Sequence, residues 1–373
     1  MILVLKPKEK ETGVYEVDFS FKFCSKYLKK SLSLLKENYQ IIEYEDPISV
    51  PIKNEVKYIL FFQKTDVLVS SFTIKALLEV LTPERNLAVP LFNDTPVKEQ
   101  QVFMPFIYHD IPSFYEFTEF IYKNGSCGHS IEKADKTLCA IYGPDFEKVF
   151  NKEAAFVCCK AYAHKFEKYY ESPREDLISL IPDGVSTILD IGCAKGGFGK
   201  RLKEIRPDVR IYGVEMNPVL AREAAKHYDE IWVGKFEDID FPMQFDLINL
   251  GDVLEHMYNP WDALYKAKKL IRTEGFITGS IPNICHWSII KGLLSGRFEY
   301  IPVGLLCISH IRFFSRKSFL EMVENVGLSI DILKLLKDKP TPSGREIIKL
   351  SHIYLGASTE DLETVEIIFR LRK

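Results

Sequence analysis

The stretch DIGCAKGGFG, Asp190 to Gly199, places an acid at the end of a short apolar run and follows it with a glycine-rich turn. Upstream, STILDIG reads as a buried strand. Downstream, GFGKRLKEI reads as a helix with Phe198, Leu202 and Ile205 on one apolar stripe. Strand, glycine turn and helix together make the first unit of an α/β layer. The alternation then continues through RIYGVEM (strand) and NPVLAREAAKHY, a helix with Asn217 as N-cap and Pro218 at its first position. EIWVGKF and FDLINLGDV read as strands, and NPWDALYKAKKLI as a second Asn-Pro helix closed by Gly275. FITGSIP (strand), SRKSFLEMVENVG (helix), LSIDILKLL (strand), REIIKLSHIYLG (helix) and TVEIIFRLRK (strand) complete the series. Such alternation predicts an α/β fold: a mostly parallel sheet with helices on both faces and its ligand site at the carboxyl ends of the strands. Asp190, Glu215 and Asp252 all fall at or near such ends.

The 373 residues suffice for two domains. Residues 1–150 are expected to form an N-terminal α/β domain of unassigned role, acceptor recognition being one candidate. KYILFF and NLAVPLF read there as strands, and SFTIKALLEVL as a helix capped by Ser71. Residues 151–373 are expected to form the second domain, with a helical lead-in over 151–181. The net charge of −3 gives no sign of a nucleic-acid or anionic-membrane surface. No apolar run is long enough to span a bilayer, and the chain reads as cytoplasmic. The eight cysteines lack C-x-x-C spacing, so reduced thiols are expected and no metal site.

Two ligands compete for the glycine loop. Gly192, Ala194 and Gly197 approximate G-x-G-x-x-G, with Glu215 placed to meet a ribose, which would suit a nicotinamide dinucleotide and an oxidoreductase. Asp190 opposes that reading, because a pyrophosphate belongs on a positive helix end and not beside a carboxylate. S-adenosylmethionine (SAM) carries an ammonium and a sulfonium and no phosphate. Asp190 can attract its ammonium, Gly192 and Gly196 allow close backbone approach, and Glu215 can accept from both ribose hydroxyls. Simple turn chemistry, with Asp190 capping the loop, is the structural alternative.

From about residue 165 to 330, ILDIGCAKGGFG, YGVEMNP, FDLINLGDVLEHMYNPWDAL, GFITGSIPN and GLLCISHIRFFSRKSFLEMVENVGL follow in the order seen in class I SAM-dependent methyltransferases. The chain resembles the small-molecule and sugar branch of that family. The resemblance implies a Rossmann-like sheet, mostly parallel with an antiparallel last strand, running to residue 373. It implies SAM contacts by Asp190, Gly192, Cys193, Ala194, Gly196, Glu215, Met216, Leu250 and Gly251. Backbone near Lys235 and Phe236 would flank the adenine. Three positions depart from the family pattern: Ala194 at the loop's middle glycine, Lys235 where an acid often meets the adenine, and Cys307 where an acid is expected near His310. Before residue 150 only a faint glycosyltransferase-like pattern is present, without a D-x-D motif.

Methyl transfer to a hydroxyl needs alignment and removal of a proton. His256, just past the strand end in DVLEHMYNPW, is the leading base, with a loop-capping role as its alternative. His310 and His286 are alternates. Arg174 reads as a surface arginine that could reach cofactor or acceptor, and Phe313 and Phe314 as core. NLGDVLEH in place of N-P-P-Y argues against amino-group methylation of bases or glutamine. The sequence therefore points to O-methylation of a sugar, a glycan or an activated sugar precursor. The alternatives are a quinone or lipid precursor, a SAM-binding protein without turnover, and a nicotinamide-dependent oxidoreductase. The expected partner is a small-molecule or glycan acceptor, with no nucleic acid and no membrane span.

Overall fold

A computed structural model of the chain describes residues 1–53, 55–102, 107–143, 146–166 and 169–373. It divides into two compact units, residues 1–167 and 168–373.

In the first unit, β1 (Ile2–Pro7), β2 (Tyr39–Tyr44), β3 (Tyr58–Phe62), β4 (Val67–Leu68), β5 (Leu87–Phe92), β6 (His129–Ile131), β7 (Leu138–Tyr142) and β8 (Ala155–Lys165) form a mixed sheet. The order is β2-β1-β3-β7-β5-β8-β4, with β6 also paired to β8. KYILFF and NLAVPLF are thus strands β3 and β5. The helix at Ser71–Glu79 is capped by Ser70, one residue before the expected cap, in a reciprocal box with Thr73.

The helical lead-in expected from residue 151 is instead β8. Its apolar residues run almost without a break, because neighbouring strands and the helices at Ser71–Glu79 and Ile111–Asn124 cover it. A strand buried on both faces loses its alternation and imitates a buried helix, the more so with three alanines in it. The compact unit accordingly runs past residue 150.

In the second unit, β9 (Thr187–Ile191), β10 (Arg210–Glu215), β11 (Glu230–Val233), β12 (Phe245–Gly251), β13 (Ile271–Pro282), β14 (Ser329–Lys337) and β15 (Thr364–Arg372) form a seven-stranded sheet. The order is β11-β10-β9-β12-β13-β15-β14. Strands β9 to β13 pair in parallel, and β15 is antiparallel to both its neighbours. The order reverses at β9, and the glycine turn stands at that switch point, where the crevice of such sheets opens.

Local chemistry sets the helix ends. Asn217 and Asn259 cap helices that begin with Pro218 and Pro260. Ser315 opens the helix Arg316–Val326, and Gly327, in the left-handed region, closes it. Two local expectations change. Ile205 is 47% exposed, so the stripe on helix Gly197–Ile205 is carried by Phe198 and Leu202. Gly275 does not end the helix before it, because β13 starts at Ile271. Gly275 lies where the pairing of β12 with β13 slips between Phe245 and Leu247, a usual place for a strand glycine.

The placement of β8 gives a direct test. Residues 1–167 should express as a soluble fragment that unfolds cooperatively, while residues 1–150 should aggregate for want of an interior strand. Circular dichroism melts and solubility of the two fragments check this; a well-folded 1–150 fragment would contradict it.

Candidate functional site

Four parallel strands deliver the site. Asp190 on β9 is level with Asn249 on β12, and Gly251 at the end of β12 is level with Ser280 on β13. Glu215 ends β10 on the other side.

Asp190 is only 3% exposed. The Tyr228 hydroxyl donates to its Oδ2, and the Asn249 amide donates to Oδ1 at 2.7 Å. Thr278 donates to Asn249 Oδ1 at 3.1 Å, and the Gly199 N–H donates to the Tyr228 oxygen at 3.1 Å. One chain of hydrogen bonds therefore runs from β13 through Asp190 to the helix after the glycine loop. Burial outweighs the two bonds to the carboxylate, the Glu215 charge adds to it, and the Asp190 carboxyl is pushed up to about 6. Each oxygen accepts one bond, which leaves lone pairs for a ligand.

Glu215 is buried and grips the loop. It accepts the Ala194 N–H at 3.0 Å and the Asn217 N–H at 2.8 Å. Ala194 has φ 48°, unusual for a residue with a side chain, and the Glu215 bond holds it there. Gly192 and Gly196 are both left-handed. What a side chain would meet at these positions is protein: Val253 Cγ2 at 2.8 Å from a Cβ on Gly192, and the Ala224 Cα at 2.9 Å from one on Gly196. Close packing of the chain on itself thus requires both glycines. The Val253 contact also puts the DVLEH segment directly against the loop. Cys193 is buried, Met216 is exposed, and Phe236 sends its ring into the core, where Lys266 Nζ lies 5.0 Å from its centroid. Lys235 precedes the short turn at Phe236, whose carbonyl accepts from Lys266. Leu250 is fully buried, and Gly251 follows it at the strand end.

Arg174 is no ordinary surface arginine. Its guanidinium contacts Asp252, Asp176 at 2.7 Å, Glu366 at 2.7 Å and Ser280 Oγ at 3.0 Å. Antiparallel β15 brings Glu366 to this end of the sheet because it starts there. Burial alone would raise Asp252, but the Arg174 charge and the Ser280 bond hold it low. Burial, together with the Asp252 charge, pushes Glu366 up to about 8. Asp176, Ser280 and Glu366 carry no sequence signal, since each is a common residue at a strand or helix end.

Beyond Asp252, which has φ 52°, Leu254–His256 form one tight turn. Glu255 is fully buried, and neither of its carboxylate oxygens has a hydrogen-bond partner among the described residues. Its carbonyl accepts the N–H groups of Ile311 and Arg312 at 2.9 and 3.0 Å, which ties the ISHIRFF loop over the turn. His310 Nε2 stands 3.9 Å from Glu255 Oε1, and the His256 and His310 rings lie 4.8 Å apart, edge to face. Burial raises the Glu255 carboxyl far above its ordinary range, and Asp252 adds to this.

The acid missing at Cys307 is thus replaced from another element, and His310 does have a carboxylate beside it. Cys307 itself is buried, with its thiol on the Pro302 carbonyl at 3.1 Å. His286 caps the helix Trp287–Leu294. Phe314 is core, whereas Phe313 is partly exposed against Phe298.

Residues 162–332 match a family model described as a methyltransferase domain. Most of that match lies in the C-terminal unit, over the glycine loop and the strands that deliver the site. A ubiquinone biosynthesis O-methyltransferase of Alkalilimnicola ehrlichii is 25% identical over 128 residues, 31% of this chain and 51% of that protein. The chain thus spans about half the length of that curated relative. Among solved structures, a TehB-like SAM-dependent methyltransferase of Corynebacterium glutamicum is 18% identical with a TM-score of 0.35, covering 54% of this chain and 88% of that one. An O-methyltransferase of a Brevibacillus brevis multienzyme, in complex with S-adenosyl-L-homocysteine, is 16% identical with a TM-score of 0.35, covering 51% and 67%. No helix among the described residues is long and apolar enough to cross a membrane.

The buried acid at the glycine loop yields a stability prediction. Below about pH 4 Asp190 is protonated in both folded and unfolded chains and costs nothing. As pH rises towards 6 the unfolded carboxyl ionises first, so the native state loses stability; above 6 the loss is constant. A shift of about two pH units corresponds to about 3 kcal/mol. Asp190→Asn should therefore gain on the wild type between pH 4 and 6 in denaturant melts without ligand. Parallel pH profiles for the two proteins would contradict this.

Proposed function

We propose that this protein is a SAM-dependent O-methyltransferase acting on a hydroxylated small molecule, with a sugar, glycan or activated sugar precursor as the first acceptor class. The anionic loop carries this reading. Asp190 and Glu215 suit an ammonium and a ribose diol, whereas a dinucleotide pyrophosphate would meet two carboxylates. Bound SAM supplies a methyl group on a sulfonium. Asp190 binds the ammonium, directly or through water, with the lone pairs that Tyr228 and Asn249 leave open. Glu215 accepts from the ribose hydroxyls while keeping its hold on Ala194 and Asn217. The backbone at Gly192, Cys193, Ala194, Gly196, Met216, Leu250 and Gly251 shapes the rest of the cofactor site, and the backbone at Lys235 and Phe236 borders the adenine.

Acceptor activation belongs to the turn packed on the loop. His256 leads, His310 supports it, and the hydroxyl proton leaves through this cluster. The curated relative makes a quinone precursor the second acceptor class. The first unit is assigned to acceptor recognition, since among its described residues no glycine-rich or metal-binding motif suggests chemistry of its own.

Asp190→Ala and Glu215→Ala should each weaken SAM binding roughly tenfold or more, the weight of a charged hydrogen bond of about 1.5–3 kcal/mol. Calorimetry checks this. Unchanged affinity in both variants, or tight binding of NADH in place of SAM, would overturn the cofactor assignment. His256→Ala should slow single-turnover methyl transfer by about 10²–10⁴-fold with SAM affinity nearly intact. Labelled SAM with fractionated extract identifies the acceptor for that assay. SAM binding without methyl transfer to any fraction would mark a binding protein and not an enzyme.

A further inference from the structure

The sequence suggested no metal site, yet one carboxylate and two imidazoles converge beside the glycine loop. Glu255, His256 and His310 each offer a ligand atom, and these atoms lie within 4.8 Å of one another. Ligands bound at about 2.0–2.2 Å to one tetrahedral ion stand roughly 3.3–3.6 Å apart. The 3.9 Å between Glu255 Oε1 and His310 Nε2 is about half an ångström beyond that, and a pair at the full 4.8 Å closes with side-chain rotation of about one ångström.

The outer contacts agree with this. His256 Nδ1 lies 3.2 Å from the Ser309 carbonyl and His310 Nδ1 lies 3.1 Å from the Leu305 carbonyl. A carbonyl oxygen can only accept, so in the neutral rings both Nδ1 atoms carry the hydrogen and both Nε2 atoms carry the lone pair. Fixing the tautomer through the far nitrogen is how proteins orient metal-binding histidines. Glu255 supplies the independent observation. It is completely buried, lies against His310, and neither of its oxygens meets a hydrogen-bond donor among the described residues. Burying such a group is costly unless a donor or a cation meets it.

We propose that Glu255, His256 and His310 form a binding site for a divalent first-row transition cation, Zn²⁺ first, which holds the acceptor oxygen at an open coordination position. Two imidazoles and one carboxylate form the three-ligand set that leaves such a position open. The inference rests on the methyltransferase reading for its role, but not for the existence of the site. A hydroxyl on the cation is acidified, so its proton passes to solvent before transfer. The oxygen then forms the new bond to the methyl carbon as the carbon–sulfur bond breaks. The electron pair of that bond stays on sulfur, and the sulfonium charge is discharged. One proton is released per methyl transferred. His256 acts here through the cation and not as a free base.

The test uses the full chain after dialysis against a chelator, with Co²⁺ as the spectroscopic probe and Zn²⁺ as competitor, in the absence of SAM and acceptor. The expected result is one Co²⁺ per chain with visible absorption bands that Zn²⁺ abolishes. Glu255→Gln, His256→Ala and His310→Ala should each weaken binding at least tenfold, while calorimetric SAM affinity and the circular dichroism spectrum stay near wild type. Absent or substoichiometric Co²⁺ binding by the wild type would overturn the site, as would equal binding by wild type and Glu255→Gln. Glu255 would then be a buried neutral acid beside His310. Because SAM affinity is read separately, loss of the metal site leaves the cofactor reading standing, and loss of SAM binding leaves the metal result standing.

Discussion

The buried carboxylate of Asp190, held between Tyr228 and Asn249, is the constraint on which the site depends. It joins three adjacent strands to the helix after the glycine turn through one chain of hydrogen bonds, Thr278 to Asn249 to Asp190 to Tyr228 to Gly199. A carboxyl group pushed up to about 6 by its own burial is costly to keep at neutral pH. The fold maintains it at the switch point of the sheet, where a ligand enters. Sites that sacrifice stability in this way are where function is expected. Glu215 acts in parallel from the next strand and holds the strained Ala194 in place.

A second charged layer lies at the ends of β12, β13 and β15. Arg174 gathers Asp252, Asp176 and Glu366 around one guanidinium. The first turn after β12 therefore has a rigid base. Asp252, in a left-handed conformation, redirects the chain so that Val253 packs on the glycine loop while Glu255 turns inward. The glycine loop and the Glu255–His256–His310 cluster, proposed here to serve cofactor and acceptor, are consequently neighbours in space, with Val253 of the turn packed on Gly192. Proximity of this kind is most of what methyl transfer asks of a protein.

The second unit was legible because its signals are local. Asn-Pro starts, a Ser315 cap, a Gly327 stop and the acid at each strand end all lie within a few residues of what they determine. The antiparallel final strand followed from the family resemblance, not from periodicity. The failures were non-local. Strand β8 was hidden because burial on both faces erased its alternation. Gly275 looked like a helix stop because its real place, a slip in pairing with β12, depends on a strand distant in sequence. Arg174 and Glu366 are 192 residues apart, and no spacing rule links them. At His310, the acid sought in the adjacent residues came instead from Glu255, 55 positions earlier and already visible in the LEH triplet. Only the fold shows which of these residues meet.

If Asp190 faces the ammonium of SAM, binding must change its protonation. Calorimetry of SAM binding at pH 6, repeated in buffers of different ionisation enthalpy, counts protons exchanged on binding. Asp190 is about half protonated there, and an ammonium placed against it lowers its pKa, so about half a proton should leave per SAM bound, and none in Asp190→Asn. Tight SAM binding with no proton release, or the same release in wild type and variant, would show that the carboxylate does not oppose the charge of the bound ligand.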